Sequence, residues 1–256
     1  MKMTLSPILG MALGVVMATV QPGAAAEVKV LTAGAFKQVV LAVAPEFEKS
    51  GHKLVVDNDT VGALTKRIEG GEAFDVAVLT PAAVDELTKK GKIADGSKTA
   101  LARVGVGVMV KAGAPVPDIS TVEAFKRALL QAKSVAYIDP ASGGSSGIYI
   151  ANLLEKMGIA NDIKPKAKLK QGGYVADLIK SGEAELGIHQ ISEIVPVKEV
   201  TLVGPLPADI QNYTTYAAGI SPSARDNAAA NALIQVFSGP AAAAVLKEKG
   251  MDRPGS

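Results

Sequence analysis

The stretch Leu101-Ala102-Arg103-Val104-Gly105-Val106-Gly107-Val108-Met109-Val110 breaks the rhythm of the chain around it. It is too rich in Val and Gly for a helix, and Gly113-Ala114-Pro115-Val116-Pro117 ends it, so it reads as one long strand. A second extended stretch, Tyr213–Ile220, alternates Tyr213, Thr215 and Ala217 with Thr214 and Tyr216 before Ser221-Pro222. Two such strands, far apart in the sequence, suit a chain that crosses from one lobe to another and back again. The division this predicts is lobe one at 27–103 plus 213–256, and lobe two at 104–212.

On either side of the first crossover, short Val, Ile and Leu runs alternate with helical patterns. Strands are expected at Val28–Ala33, Lys53–Val56, Phe74–Thr80, Ser134–Ile138 and Ala184–His189. Phe36–Lys49 carries apolar residues at 36, 39, 40, 43 and 47, a helical stripe with charges on the other face. Gly62–Ile68, Pro81–Lys90, Val122–Ala132, Gly147–Met157 and Tyr174–Lys180 read the same way, and Gly51, Gly91, Gly158 and Gly182 stand where helices should stop. The fold class is α/β, with each lobe a mostly parallel sheet flanked by helices and the lobes joined by two crossover strands.

At the N-terminus, Lys2 precedes an uncharged run from Ile8 to Val20 and then Gln21-Pro22-Gly23-Ala24-Ala25-Ala26. A charged start, a short apolar core and an A-x-A site predict a cleavable signal peptide at 1–26, with cleavage after Ala26 and export to the periplasm. The run is shorter than the ~18 to 20 residues that span a bilayer. There is no Cys, so neither a lipid anchor on cysteine nor disulfide bridges enter, and stability must come from core burial.

Lys and Arg number 27 against 25 Asp and Glu, with the signs interspersed, which argues against a nucleic-acid surface. Trp is absent and aromatic residues are few, so sugar-stacking platforms are not expected. A small polar or charged ligand fits better, taken by a monomer without a cofactor or a metal.

Six short motifs then occur in order: Val30-Leu31-Thr32-Ala33-Gly34-Ala35-Phe36; Val61-Gly62-Ala63-Leu64 with Arg67-Ile68-Glu69-Gly70-Gly71; Phe74-Asp75-Val76; Asp139-Pro140 with Gly147-Ile148-Tyr149; Glu183-Ala184-Glu185-Leu186-Gly187-Ile188; and Phe237-Ser238-Gly239-Pro240-Ala241-Ala242. Together they resemble the periplasmic molybdate-binding proteins and their relatives over nearly the whole mature chain. The resemblance implies the type II periplasmic-binding-protein fold, with a tetrahedral oxyanion held between the lobes by hydroxyls and by backbone N–H groups at helix N-termini. Such N-termini offer unpaired donors and the positive end of a dipole.

Four loops are placed to bind in this way: Gly34-Ala35-Phe36, Thr60-Val61-Gly62, Gly144-Ser145-Ser146-Gly147 and Gly172-Gly173-Tyr174. All are strand-to-helix turns, where open α/β folds put their ligands. The chain departs from the family where it matters for the ligand. Ala35 and Val61 stand where the family has serines, and the family's late tyrosine is replaced near His189-Gln190. Each oxyanion oxygen left without a donor costs about 1–3 kcal/mol, which argues against molybdate or tungstate. Lys37, Thr60, Ser145, Ser146, Tyr174 and His189 suit a larger anion, a di- or tricarboxylate.

Several candidates have a plain alternative. Gly34, Gly62, Gly172 and Gly173 also suit tight turns, and Ser145 or Ser146 suits a helix cap. Lys37 suits a solvated helix face. His189, at the end of an apolar strand, suits either a satisfied structural group or a hydrogen-bond donor and proton shuttle. Asp57-Asn58-Asp59-Thr60 lacks the calcium-loop pattern, and its acids are expected to cap the next helix or orient a lysine.

Two functions follow. One is a solute-binding protein that presents a small organic anion to a membrane importer of the ABC type. The other is an enzyme on the same scaffold. Aconitate isomerases resemble this family, and moving a double bond by allylic proton transfer needs one base, His189 or Lys37, with donors for the developing charge.

Overall fold

A computed structural model describes residues 25–255. The predicted signal peptide falls almost entirely outside these residues. In chain order the elements are β1 (Glu27–Ala33), α1 (Gly34–Glu48), β2 (Lys53–Asp59), α2 (Val61–Glu69), β3 (Val76–Leu79), α3 (Pro81–Lys89), β4 (Thr99–Lys111), α4 (Val122–Gln131) and β5 (Val135–Ile138). They continue with α5 (Ser145–Lys156), α6 (Ala160–Ile163), β6 (Ala167–Lys170), α7 (Ala176–Lys180), β7 (Leu186–Gln190), α8 (Ile191–Ile194), β8 (Val200–Pro205), β9 (Tyr213–Ile220), α9 (Asn227–Ser238) and α10 (Pro240–Glu248).

The strands form a curled mixed sheet in the order β2-β1-β3-β9-β4-β7-β5-β6, with β8 paired to β4 outside that path. β1 lies parallel to both β2 and β3, and β5 parallel to β6 and β7, each pair linked through a helix as parallel pairing requires. The antiparallel pairings involve β4 and β9. Thr99–Gly105 of β4 pair with β9, and from Val106 onward the same strand pairs with β7 and β8.

At that handover Gln211 grips the backbone of Val106. Its Oε1 accepts from the Val106 N–H at 2.9 Å and its Nε2 donates to the Val106 carbonyl at 3.0 Å. A Cβ on neighbouring Gly105 would stand 3.2 Å from the same carboxamide, so a side chain there would push the clamp aside by a few tenths of an ångström. The apolar core divides at this point too. Val28 to Val104 with Tyr216 to Met251 pack on one side, and Val106 to Leu206 on the other. The fold is the two-lobed α/β architecture expected from the sequence.

The local reasons are those of the pattern. The α1 stripe of Ala35, Phe36, Val39, Val40, Val43 and Phe47 is buried. Pro81 opens α3, where its missing N–H costs nothing. Gly91 and Gly158, at φ 66° and 68°, turn the chain after α3 and α5 in a conformation closed to other residues. Two differences stand out. β2 runs on to Asp59, because Asp57–Asp59 complete the parallel ladder against Leu31–Ala33. The short strands β6 and β8 carry too little alternation to be seen in the sequence.

Candidate functional site

Between the two halves of the molecule lies a cavity of about 30 Å³. Lobe one contributes Ala33, Gly34, Ala35, Asn58 to Val61 and Tyr216, and the middle of the chain contributes Ile138, Gly144 to Ser146, Gly173, His189, Gln190 and Glu193. Two helices begin at its wall, α1 after Ala33 and α5 after Gly144, and neither has a side-chain cap. Their leading N–H groups are therefore the unpaired donors, and the positive dipole ends, of the site.

The start of α2 is different, because its donors are already used. Thr60 Oγ1 caps the helix by accepting from the Ala63 N–H at 3.2 Å, and it donates across the gap to the Ser142 carbonyl at 2.6 Å. The Gly62 N–H donates to the Gly143 carbonyl at 3.1 Å. A Cβ on Gly62 would lie 2.7 Å from Gly143 Cα, and one on Gly143 equally close to Gly62 Cα. The two lobes thus touch backbone to backbone, and Gln38 Nε2, donating to the Tyr174 hydroxyl, ties them a second time.

The floor of the cavity is the β7–α8 junction. His189 Nε2 and Glu193 Oε2 are 3.2 Å apart across the strand-to-helix junction, with side chains 2 % and 8 % exposed. Burial pushes the Glu193 carboxyl up to about 8, against a lesser opposing effect of the Lys37 charge. Burial, reinforced by Lys170, holds the His189 imidazole down to about 3. Near neutral pH the pair is uncharged, because two isolated charges at this depth cost more than their attraction returns. A Cβ on Gly34 would stand 2.6 Å from Glu193 Oε1, so the glycine lets the carboxyl reach the first turn of α1.

Beside the pair, Gln190 Nε2 lies 3.0 Å from Ser145 Oγ, 3.1 Å from Thr214 Oγ1 and 3.4 Å from Tyr216 Oη. His189 Nδ1, Gln190 Oε1 and Ser192 Oγ are buried without a hydrogen-bond partner among the described residues. Such atoms are uncommon in folded proteins, and three within four residues mark this junction as built for something other than packing.

The residues expected from the sequence divide accordingly. Gly34, Ala35, Thr60, Val61, Ser145, Ser146, Gly173 and His189 line the cavity. Phe36 does not: it is fully buried in the core, its ring edge-on to Phe237 at 5.6 Å. Lys37 is outside the lining but close enough to act on Glu193. Gly62 serves the lobe contact, Gly172 faces Asp59 across the gap, and Tyr174 accepts from Gln38.

Asp59 does not cap α2: Thr60 does, and Asp59 accepts the N–H of Thr60 itself, at 2.8 Å. The partner of Asp57 is an arginine rather than a lysine: Arg67 pairs with it and reaches Asp59 at 3.9 Å and Glu72 at 2.6 Å, which offsets the negative charge. Glu193, Gln190 and Tyr216 were not anticipated. The signal for Glu193 was present, since it is a lone charge inside Ile191-Ser192-Glu193-Ile194-Val195.

Comparison with known proteins agrees with this geometry. The profile of the bacterial extracellular solute-binding protein family matches residues 28–252. An aconitate isomerase from Pseudomonas sp is 33% identical over 229 residues, covering 87% of this chain and 86% of its own. The molybdate-binding protein ModA of Azotobacter vinelandii is 30% identical over 238 residues, covering 88% and 90%. The solved periplasmic molybdate-binding protein of Azotobacter vinelandii superposes with a TM-score of 0.76 at 22% identity, over 89% of this chain and 99% of that one.

Proposed function

The chain belongs to the bacterial extracellular solute-binding protein family, and from that premise we propose that it is a periplasmic protein that takes a small tricarboxylate between its lobes and shifts its double bond, as an aconitate isomerase. The observation that carries this reading is the buried Glu193–His189 pair at the floor of the cavity. A simple capture site has no use for a carboxyl placed against a helix N-terminus. A proton-transfer site needs one.

The chemistry is an allylic shift. The fraction of Glu193 that is ionised, which grows as pH nears 8, takes a proton from the methylene carbon of trans-aconitate. The C–H electron pair moves into the neighbouring carbon–carbon bond, the old double bond moves toward a carboxylate-stabilised dienolate, and the Glu193 carboxyl, whose proton exchanges with solvent, returns a proton at the former vinylic carbon. Burial makes Glu193 a stronger base than a solvated carboxylate and sets it near working pH, where general bases act best. His189, kept neutral, holds Oε2 in place. The first turns of α1 and α5 face the substrate carboxylates and stabilise the charge that grows on them. Lys37, on α1, adds a cation beside the site.

The missing hydroxyls at Ala35 and Val61 support a carboxylate over a metal oxyanion. The decisive experiment is incubation with trans-aconitate in heavy water, followed by NMR: cis-aconitate with exchanged methylene protons supports the reading, and absence of exchange or turnover sinks it.

A second reading is favoured by the molybdate-binding relative and by the contacts that join the lobes: the protein captures the anion and hands it to a membrane importer. Heat of binding with tricarboxylates but no turnover selects it.

A further inference from the structure

We infer that Gln190 is a positioning residue that fixes the direction of the hydroxyls around the cavity, so that Tyr216 donates to the occupant and the seat consists of donors. This rests on the reading of the cavity as a carboxylate site and extends it to the residue that sets its polarity.

The argument is one of hydrogen counting. A carboxamide nitrogen has two hydrogens to give, and Gln190 Nε2 faces three hydroxyl oxygens, those of Ser145, Thr214 and Tyr216. A hydroxyl has one proton, and one that accepts from an amide must send that proton elsewhere. The Tyr216 oxygen accepts from Gln190 Nε2, and its own proton is left for whatever fills the cavity it lines.

The rest of the seat has the same sense. The first N–H groups of α1 and α5 only donate, and Gln190 and Tyr216 are both almost fully buried, so no bulk water scrambles the directions. With the hydroxyl polarity fixed, the cavity suits a fully ionised carboxylate, which only accepts. Were Gln190 unable to donate, Ser145 and Tyr216 could satisfy each other and withdraw a donor from the occupant.

The test is a double-mutant cycle read by calorimetric titration with tricarballylate, a saturated tricarboxylate that cannot isomerise. Gln190→Met is expected to weaken binding about tenfold, the scale of one lost charge-assisted hydrogen bond. In a Tyr216→Phe background the same change should cost little, because the hydroxyl through which Gln190 acts is gone. Equal losses in both backgrounds, or no loss in either, overturn the inference and leave the carboxylate reading standing. A wild-type protein that takes up no tricarballylate overturns both. If Gln190→Met does not fold, Gln190→Glu gives the same decision: a carboxylate can only accept from the hydroxyls, so retained affinity refutes the role.

Discussion

Glu193 and His189 meet at 3.2 Å across the strand-to-helix junction, buried together and uncharged together. In the Glu193→Gln variant, turnover of trans-aconitate should drop by ~100-fold to 10,000-fold, the usual contribution of a positioned acid or base. Tricarballylate affinity should stay nearly unchanged. Loss of affinity with turnover intact would reverse the assignment.

The same carboxyl gives binding a pH dependence. Protonated, it faces an anion without repelling it; above about 8 it becomes a carboxylate and does repel it. Affinity for tricarballylate should therefore fall as pH rises through that value, and the fall should vanish in Glu193→Gln. Titrations at a series of pH values check this.

Stability should follow a plateau. Glu193 has a folded pKa raised from 4.5 to about 8, so its contribution is complete below 4.5 and is lost as pH climbs toward 8. His189 has a folded pKa lowered from 6.5 to about 3, so its contribution is complete above 6.5 and is lost as pH falls toward 3. The two slopes oppose each other between 4.5 and 6.5, where denaturant midpoints should be highest and nearly flat. On the acid side Glu72 adds to the decline, since hydrogen bonds from Arg67 and Lys29 hold its carboxyl down to about 2. The double variant His189→Gln/Glu193→Gln should flatten the alkaline limb.

Much of this architecture was legible because it rests on periodicity. The α1 stripe, the Val-rich run at Leu101–Val110 and the alternation at Tyr213–Ile220 each have one physical interpretation, and each became the element it implied. The site was half legible. Turn residues such as Gly34 and Ser145 announce themselves by type, whereas Phe36, two residues after Gly34, turns its ring inward because the helix has by then rotated away from the cavity. Glu193 and Gln190 were hidden for a different reason. Their roles come from pairing with His189, with Ser145 and with a strand far along the chain, and no local pattern encodes such meetings.

Phe36 gives a clean contrast with its neighbours. Phe36→Ala should cost ~3–5 kcal/mol of stability, as expected for a core aromatic, measured by chemical unfolding. Phe36→Leu should fold and bind tricarballylate like the wild type. A selective loss of binding in the leucine variant would return Phe36 to the site.

Gly62→Ala should hold the lobes apart. The added methyl would stand 2.7 Å from Gly143 Cα, closer than carbon atoms approach, and neither backbone can yield cheaply. Small-angle scattering should show a larger radius of gyration than wild type, and tricarballylate affinity should fall by about tenfold or more if closure contributes one or two hydrogen bonds to the bound state. Unchanged scattering would show that the contact is not needed to bring the lobes together.

That glycine contact bears on the timing of capture as well as on its strength. Gly62, Gly143, Thr60 and Ser142 bond to one another without calling on any guest, so part of what holds the jaws shut is present when they are empty. A solute that must pass between the lobes would then enter only while this contact gapes. At high solute concentration the rate of uptake should then cease to rise and settle at the rate of gaping. The pace of binding would then be governed by two glycines outside the cavity lining.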